Sequence, residues 1–175
     1  MTKNKDKIVW VLADNRAGNV SQAVGVAEKL KIAYVRHNIF YNKFASLPNF
    51  LKFASLIGVD LEHSSKFLPP FPDLIIAAGR RTAPISLYIK KLAKLRENKD
   101  VKSVQIMWPE ANYKKFDLIV VPKHDSIKEK PNLITITGAA HRFDDKFFED
   151  QRVKWQDSFK NYKEPFIALI VGGDT

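Results

Sequence analysis

The sequence predicts an α/β fold: a Rossmann-like, doubly wound, mostly parallel sheet with helices on its faces. Three observations predict it. Short apolar runs end in polar or glycine-containing loops, amphipathic helical segments follow several of these loops, and this alternation continues along the 175 residues. Strands that alternate with helices form parallel sheets covered on both faces. The length suits one domain, or one domain and a fragment, and the 45% hydrophobic content is enough for a core.

The first half of the chain predicts three strands and two long helices. The expected strands cover residues 8–13, 33–40 and 73–78. A helix is expected over residues 18–31, because its apolar residues recur with helical spacing on one face. The second helix follows the third strand. Thr82 is its expected N-cap, and Pro84 fits its first turn.

The second half predicts four more strands and a polar helix. The expected strands cover residues 104–108, 117–121, 133–137 and 166–171. Residues 143–162 are mostly polar with scattered aromatic residues, which indicates a helix on the surface.

Composition excludes several classes of protein. The chain has no cysteine, so disulfide scaffolds, thiolate metal sites and cysteine nucleophiles are excluded. No apolar run reaches the ~18 residues that span a bilayer, and we expect an unexported, cytoplasmic chain. The net charge of +10 is spread evenly, since residues 1–72 and 73–175 each carry +5 (10 − 5 and 19 − 14). Without a basic stripe, we expect no nucleic-acid partner.

Polar residues and glycines collect where the predicted strands end. In doubly wound sheets, ligands bind beyond the carboxyl ends of the strands, where the strand order reverses. The loop of residues 79–82, Gly-Arg-Arg-Thr, combines free backbone amides, a helix N-terminus and guanidinium groups, which suit a phosphate or carboxylate. The alternative is a capped helix start with solvated arginines. Neither a dinucleotide fingerprint nor a P-loop occurs, so no cofactor is expected.

Two loop histidines are candidate general bases. His124 precedes Asp125, a carboxylate that would orient its ring, and His141 follows a glycine-containing turn. Both histidines fit ordinary surface positions equally simply. No two histidines have metal-ligand spacing, and no metal is expected.

Residues 40–59 differ from the rest, because aromatic residues alternate with lysines and the segment contains no acid. This composition suits a surface that lies on anionic lipid. The alternative is a short helical pair on the sheet edge whose apolar residues lie in the core. In either case Pro48 prevents one continuous helix.

Five stretches together resemble the mitochondrial-fission "elongated mitochondria" family. They are residues 9–19 with Gln22, residues 72–84, residues 116–125, residues 137–139 and residues 169–173. Members of this family resemble GT-B glycosyltransferases, in which two Rossmann-like domains face a cleft and the second holds most of the donor nucleotide sugar. Such proteins are about twice as long as this chain.

The resemblance implies that residues 1–162 form the acceptor-side domain and residues 163–175 an orphan first strand of a missing donor domain. That strand would pair with the first domain or with a second copy of the chain. The cleft would be lined by Asn15, Arg16, Gly18, Gly79, Arg80 and Thr82. The base for an acceptor hydroxyl would be Asp14, His124 or His141.

From the resemblance we expect the acceptor-side domain of a GT-B-like glycosyltransferase, inactive alone, that meets a nucleotide-sugar or phosphate ligand. It would lie in the cytoplasm, at the inner face of a membrane that it contacts through residues 40–59. Two alternatives stay open: a non-catalytic adaptor that docks on a membrane or protein, and a remnant without activity.

Overall fold

The computed structural model describes residues 7–163, 165–169 and 171. The chain divides into two compact units, Met1–Arg142 and Phe143–Thr175. The predicted domain limit at residue 162 stays a prediction. The predicted orphan strand and self-association segment lie partly outside the described residues, at 164, 170 and 172–175.

In its described residues, 7–142, the first unit contains one six-stranded sheet and three α-helices. Its strands are β1 (Val9–Ala13), β2 (Val35–Asn38), β3 (Leu74–Ala78), β4 (Lys102–Ile106), β5 (Leu118–Pro122) and β6 (Leu133–Ile136). Its helices are α1 (Ala17–Lys29), α2 (Asn49–Lys52) and α3 (Ala83–Glu97). The predicted strands and both long helices of this unit are all present, with ends shifted by a few residues.

Every pair of neighbouring strands is parallel, in the order β2-β1-β3-β4-β5-β6. The predicted Rossmann-like α/β fold is therefore confirmed. The chain moves outward from β1 to β2 and then returns to the other side of β1 to form β3. The strand order thus reverses between β1 and β3, and a crevice opens beyond the carboxyl ends of these two strands.

The core consists of two layers, one on each face of the sheet. Consecutive strand residues point to opposite faces. Trp10 and Leu12 therefore pack with Ile85 and Ile89 of α3, whereas Val9 and Val11 pack with Ala23, Val24 and Ala27 of α1. The continuous apolar runs that predict the strands are thus explained by burial on both faces.

Residues 40–59 bury only some of the apolar side chains that the core alternative expects in the core: Ala45 and Val59 are buried, and Tyr41 and Leu56 pack against the core. A 3₁₀-helix, Lys43–Ser46, and α2 form the predicted helical pair, and Pro48 lies between them. However, six large apolar side chains are exposed to solvent: Phe40, Phe44, Phe50, Leu51, Phe53 and Ile57. Asn49 and Lys52 are buried instead. The core alternative therefore holds for only part of the segment, and the polar side chains of Asn49 and Lys52 anchor the rest.

The second unit contains helix α4 (Asp145–Phe159), which confirms the predicted surface helix. It has no buried residue, and the side chain of its N-cap Asp144 accepts a hydrogen bond from Phe147 N at 2.9 Å. Residues 165–169 and 171 form neither helix nor strand. In the described part of the chain, no helix combines the length and apolarity that crossing a membrane requires.

Candidate functional site

A cavity of about 350 Å³ lies beyond the carboxyl ends of the central strands. We call it the arginine cavity. Four strand ends contribute to its lining: Arg16 and Asn19 after β1, Gly79, Arg80 and Arg81 after β3, Met107, Trp108 and Glu110 after β4, and Asp125 after β5. The cavity therefore occupies the crevice where the strand order reverses.

All basic residues that line the arginine cavity are arginines. The chain has 22 lysines and 7 arginines, yet three arginines and none of the described lysines line the cavity. A general bias toward lysine would place lysines there. Guanidinium groups are planar and bind phosphate or carboxylate through two parallel hydrogen bonds, so this choice of cation favours an anionic ligand.

The three guanidinium groups differ in how far they are paired. Arg80 Nη1 lies 3.2 Å from Glu110 Oε2, and both side chains are exposed. Arg81 donates to Asn15 Oδ1 at 3.1 Å and stacks on the Tyr41 ring at 4.5 Å. The Arg16 guanidinium makes no hydrogen bond or ion pair with any residue that the structure describes. At least one cation of the cavity is therefore available to a ligand.

The loop after β3 and the first turn of α1 approach each other closely at the cavity, through Gly79 and Asn19. Gly79 has φ +84°, and a Cβ at this position would collide with the Asn19 side-chain amide. Asn19 Nδ2 donates to Asp14 Oδ2 at 2.8 Å, and Arg16 N donates to Asp14 Oδ1 at 2.9 Å. The buried Asp14 carboxylate thus holds the Asn19 side chain next to Gly79, whose positive φ favours glycine.

The carbonyl oxygen of Gly79 accepts three hydrogen bonds from beneath the cavity. Thr82 Oγ1 donates to it at 2.8 Å, Gln105 Nε2 at 3.0 Å and Thr82 N at 3.3 Å. Thr82 occupies the predicted N-cap position of α3, but its side chain makes no capping hydrogen bond. Since Thr82 is fully buried, it shapes the loop and does not line the cavity.

A second cavity of about 390 Å³ adjoins the first, because Trp108 and Glu110 line both. We call it the aromatic groove; Phe50, Phe53 and Leu87 also line it. The buried amide of Asn49 joins the walls of the two cavities. Its Nδ2 donates to the backbone carbonyls of Arg80 at 2.7 Å and Pro109 at 2.6 Å.

Lys52 anchors the helical pair next to the groove. It is 2% exposed, and its Nζ donates to the carbonyl oxygen of Ala45 at 3.0 Å. Burial lowers the pKa of Lys52, and the positive charges of Arg80 and Arg81 lower it further. The Lys52 amine is therefore buried although burial disfavours its charged form, whereas the neighbouring side chains of Phe50 and Phe53 are exposed to solvent.

Besides the buried Thr82, the other predicted cleft residues and the candidate base Asp14 fall into three groups. Arg16, Gly79 and Arg80 line the arginine cavity. Asp14 and Asn15 line a neighbouring cavity of about 420 Å³, although their hydrogen bonds reach residues of the arginine cavity. Gly18 lies in the first turn of α1 and lines neither cavity.

The two candidate histidines lie in different places. His124 is exposed, and its Nε2 lies 3.6 Å from Oδ1 of Asp125, which lines the arginine cavity. The backbone of His141 passes beside α1, so close that a Cβ on Gly25 would collide with it. His141 does not line the arginine cavity.

Sequence reasoning did not select Asn19 or Trp108 as site residues, and it included Arg81 only as part of the predicted anion-binding loop of residues 79–82. Arg81 adjoins Arg80 in the same loop, so the predicted crevice alone was a sufficient signal for it. The place of Asn19 in the cavity lining follows from its contact with Gly79. The place of Trp108 follows from the backbone after β4, where Met107 has φ +69°. Neither feature has a local sequence signal.

The described residues contain no group of three or more histidine, aspartate or glutamate side chains that could hold a metal ion.

Comparison with known proteins gives one family and two relatives. The family model described as Mitochondrial fission ELM1 matches residues 17–175. An uncharacterized protein of Rickettsia prowazekii (strain Madrid E) is 31% identical over 198 aligned positions, which cover 95% of this chain and 54% of that protein. Mitochondrial fission protein ELM1 of Arabidopsis thaliana is 26% identical, over 58% of this chain and 28% of its own length. No solved structure matched.

The chain thus spans about half the length of the Rickettsia relative and less of the plant one. The family match covers the loops after β3, β4 and β5 that build the arginine cavity. On this match, the chain belongs to the mitochondrial fission ELM1 family.

Proposed function

We propose that this chain is the acceptor-side domain of a GT-B-like glycosyltransferase, and that its arginine cavity binds an anionic group of the acceptor. The observation that carries the proposal is the position of Arg16, Arg80 and Arg81 together at the reversal of strand order. Doubly wound domains bind ligands at this place, and three guanidinium groups in one cavity suit a phosphate.

For an acceptor hydroxyl, the general base is expected among Asp14, His124 and His141. Asp14 is connected to the cavity through Asn19, and His124 through Asp125. These two are better placed than His141, which lies beside α1. The leaving diphosphate would belong to the donor sugar, so its stabilisation without a metal ion would fall to basic side chains and a helix N-terminus of the donor domain.

Titration with inorganic diphosphate tests anion binding. We expect the 175-residue chain to bind it, with chemical-shift changes confined to the loops after β1, β3 and β4. Arg16→Gln is expected to weaken binding about tenfold, because one charge-assisted contact is lost. Arg96→Gln, which removes an exposed arginine at the end of α3, is the matched control. Equal affinities of the two variants would contradict the proposal.

The same proposal locates the donor site outside this chain. Calorimetry with UDP- and GDP-sugars is expected to give no sub-millimolar affinity. Tight binding of a nucleotide sugar would show a donor site within the 175 residues and overturn the assignment to the acceptor side.

A second candidate function is docking on an anionic membrane surface. It is favoured by the exposed aromatic and aliphatic side chains of residues 40–57, which include Phe44 at 51% and Phe53 at 75% exposure. Lys43 lies beside them, and the segment carries no acid. Membrane-bound surfaces combine apolar insertion with lysines that meet lipid headgroups. Such docking would also serve an adaptor without catalytic activity, as the fission name of the plant relative suggests.

Flotation with vesicles of neutral and anionic phospholipid tests docking. The wild-type chain is expected to float with the vesicles, whereas Phe44→Glu with Phe53→Glu is expected to remain in the dense fraction. Leu95→Glu changes an exposed leucine outside the segment and is the control. If the double variant is folded and floats like the wild type, the segment does not dock on membranes.

A further inference from the structure

The arginine cavity and the aromatic groove form one continuous amphipathic surface. Trp108 and Glu110 belong to both linings, and Asn49 ties the backbones on either side of the boundary. One end of this surface presents three guanidinium groups, and the other presents Phe50, Phe53 and the ring of Trp108. A ligand that filled both parts would need a charged end and an apolar end.

The charges of the cavity suit a small anionic head. Arg16, Arg80 and Arg81 give +3, and the lining carboxylates of Glu110 and Asp125 give −2, which leaves a net +1 (3 − 2). This surplus suits one phosphate or diphosphate group better than a polyanion, which needs an extended basic surface.

The aromatic groove exposes side chains that a globular fold would ordinarily bury. Phe50 is 67% exposed and Phe53 is 75% exposed. The backbone of Phe53 has φ +47° and ψ −136°, outside the ordinary left-handed region. Glu110, at the boundary of the two cavities, also has a positive φ of +48°. Strained non-glycine backbone of this kind persists where the surrounding structure enforces it, often at ligand sites.

We propose that the ligand of this surface is a single lipid phosphate. Its phosphate or diphosphate head lies in the arginine cavity, and its hydrocarbon chain crosses Trp108 and lies in the aromatic groove beside Phe50 and Phe53. The inference rests on the proposed function and specifies it, because it makes the acceptor an anionic amphiphile rather than a water-soluble sugar.

Calorimetry with three probes tests the inference on the 175-residue chain. The probes are inorganic phosphate, octyl phosphate below its micellar concentration and octyl glucoside. Octyl phosphate is expected to bind at least about tenfold more tightly than either of the others, an increment that burial of about two methylene groups would supply. Phe53→Ser is expected to remove this increment and leave the phosphate affinity unchanged. Phe44→Ser, an exposed phenylalanine that does not line the groove, is the matched control and is expected to retain it.

The outcomes separate the two proposals. If phosphate and octyl phosphate bind equally, the cavity binds anions but the lipid inference is overturned. If octyl phosphate and octyl glucoside bind equally, only the apolar chain is recognised, and both the lipid phosphate and the anion site are wrong. Loss of the increment in Phe44→Ser as well as Phe53→Ser would indicate nonspecific adsorption to the exposed segment and would also overturn the inference.

Discussion

The two ends of the sheet hold positive charge in different ways. At the amino ends of the strands, Lys90 and Lys102 lie 2.6 Å and 2.9 Å from the Asp117 carboxylate, and Lys99 lies 3.3 Å from Asp73. At the carboxyl ends, the cations that line the cavity are arginines, and the guanidinium group of Arg16 makes no hydrogen bond or ion pair with a described residue. The lysines are paired with carboxylates within the fold, whereas the proposed function assigns the arginines to a ligand. Substitutions at the two ends should therefore separate stability from binding.

The largest effect on stability is expected at the carboxyl ends, where the backbone of Gly79 shapes the cavity. Gly79→Ala introduces a Cβ at φ +84° that collides with Asn19, and we expect the free energy of unfolding to fall by about 2 kcal/mol. Urea denaturation measures this change. Gly18→Ala is the control, since its Cβ meets no atom within 4 Å. It should leave stability unchanged or raise it by less than about 1 kcal/mol. Similar losses in both variants would contradict this account of the loop.

A smaller effect is expected at the amino ends, where Asp117 neutralises two lysines. Burial opposes its ionisation, but hydrogen bonds and ion pairs with Lys90 and Lys102 lower the pKa of Asp117 to about 2. Because the pKa of this carboxyl group is lower in the folded than in the unfolded state, its ionised form stabilises the fold at pH values above the unfolded pKa of about 4. This stabilisation is lost as the pH falls toward 2. Asp117→Asn should therefore cost about 1 kcal/mol at pH 7, after allowance for solvent screening.

The pH dependence distinguishes this ion pair from simple packing. The stability difference between wild type and Asp117→Asn should shrink steadily between pH 4 and pH 2 in urea titrations. Asp100→Asn serves as the comparison, because the Asp100 side chain is 82% exposed although it pairs with Lys94. A difference for Asp117→Asn that does not change with pH would mean that the carboxylate contributes no charge interaction.

The smallest effect on stability is expected for Arg16→Gln. Arg16 precedes α1 at its N-cap but makes no side-chain capping bond, so the free energy of unfolding should change by less than about 0.5 kcal/mol. Its diphosphate affinity should nevertheless fall about tenfold, which thermal unfolding with and without diphosphate would detect. A large loss of stability would show that Arg16 is a structural residue and would remove the contrast between the two ends.

The fold was predictable because its signals are local and repeated. Each buried strand has its own apolar run, and the carboxyl ends of parallel strands necessarily share one edge of the sheet. The gathering of Arg16, Gly79 and Arg80 follows from that geometry alone. The loop after β6 is the exception: it contributes nothing to the arginine cavity, because β6 is the edge strand farthest from the reversal of strand order.

The composition of residues 40–57 left open whether their apolar side chains are exposed or buried. Apolar stripes are usually buried, and this rule favours a core position for Phe44, Phe50 and Phe53. Instead, the Asn49 side chain donates to two backbone carbonyls that are distant in sequence, and the Lys52 amine donates to the Ala45 carbonyl. These hydrogen bonds keep the two polar side chains buried. These contacts join residues up to 60 positions apart, so they cannot be predicted from the local spacing of apolar residues.

The burial of Lys52 makes one amine of the chain a chemical reporter. Among the described lysines only Lys52 is buried, so acylation of the folded chain by an amine-selective reagent should modify its neighbours and spare this one. Mass spectrometry of the digested protein would then show whether α2, the single helical turn that contains Lys52, is intact. Protection that disappears on contact with vesicles or with octyl phosphate would locate the rearrangement to that turn, without any substitution in the protein.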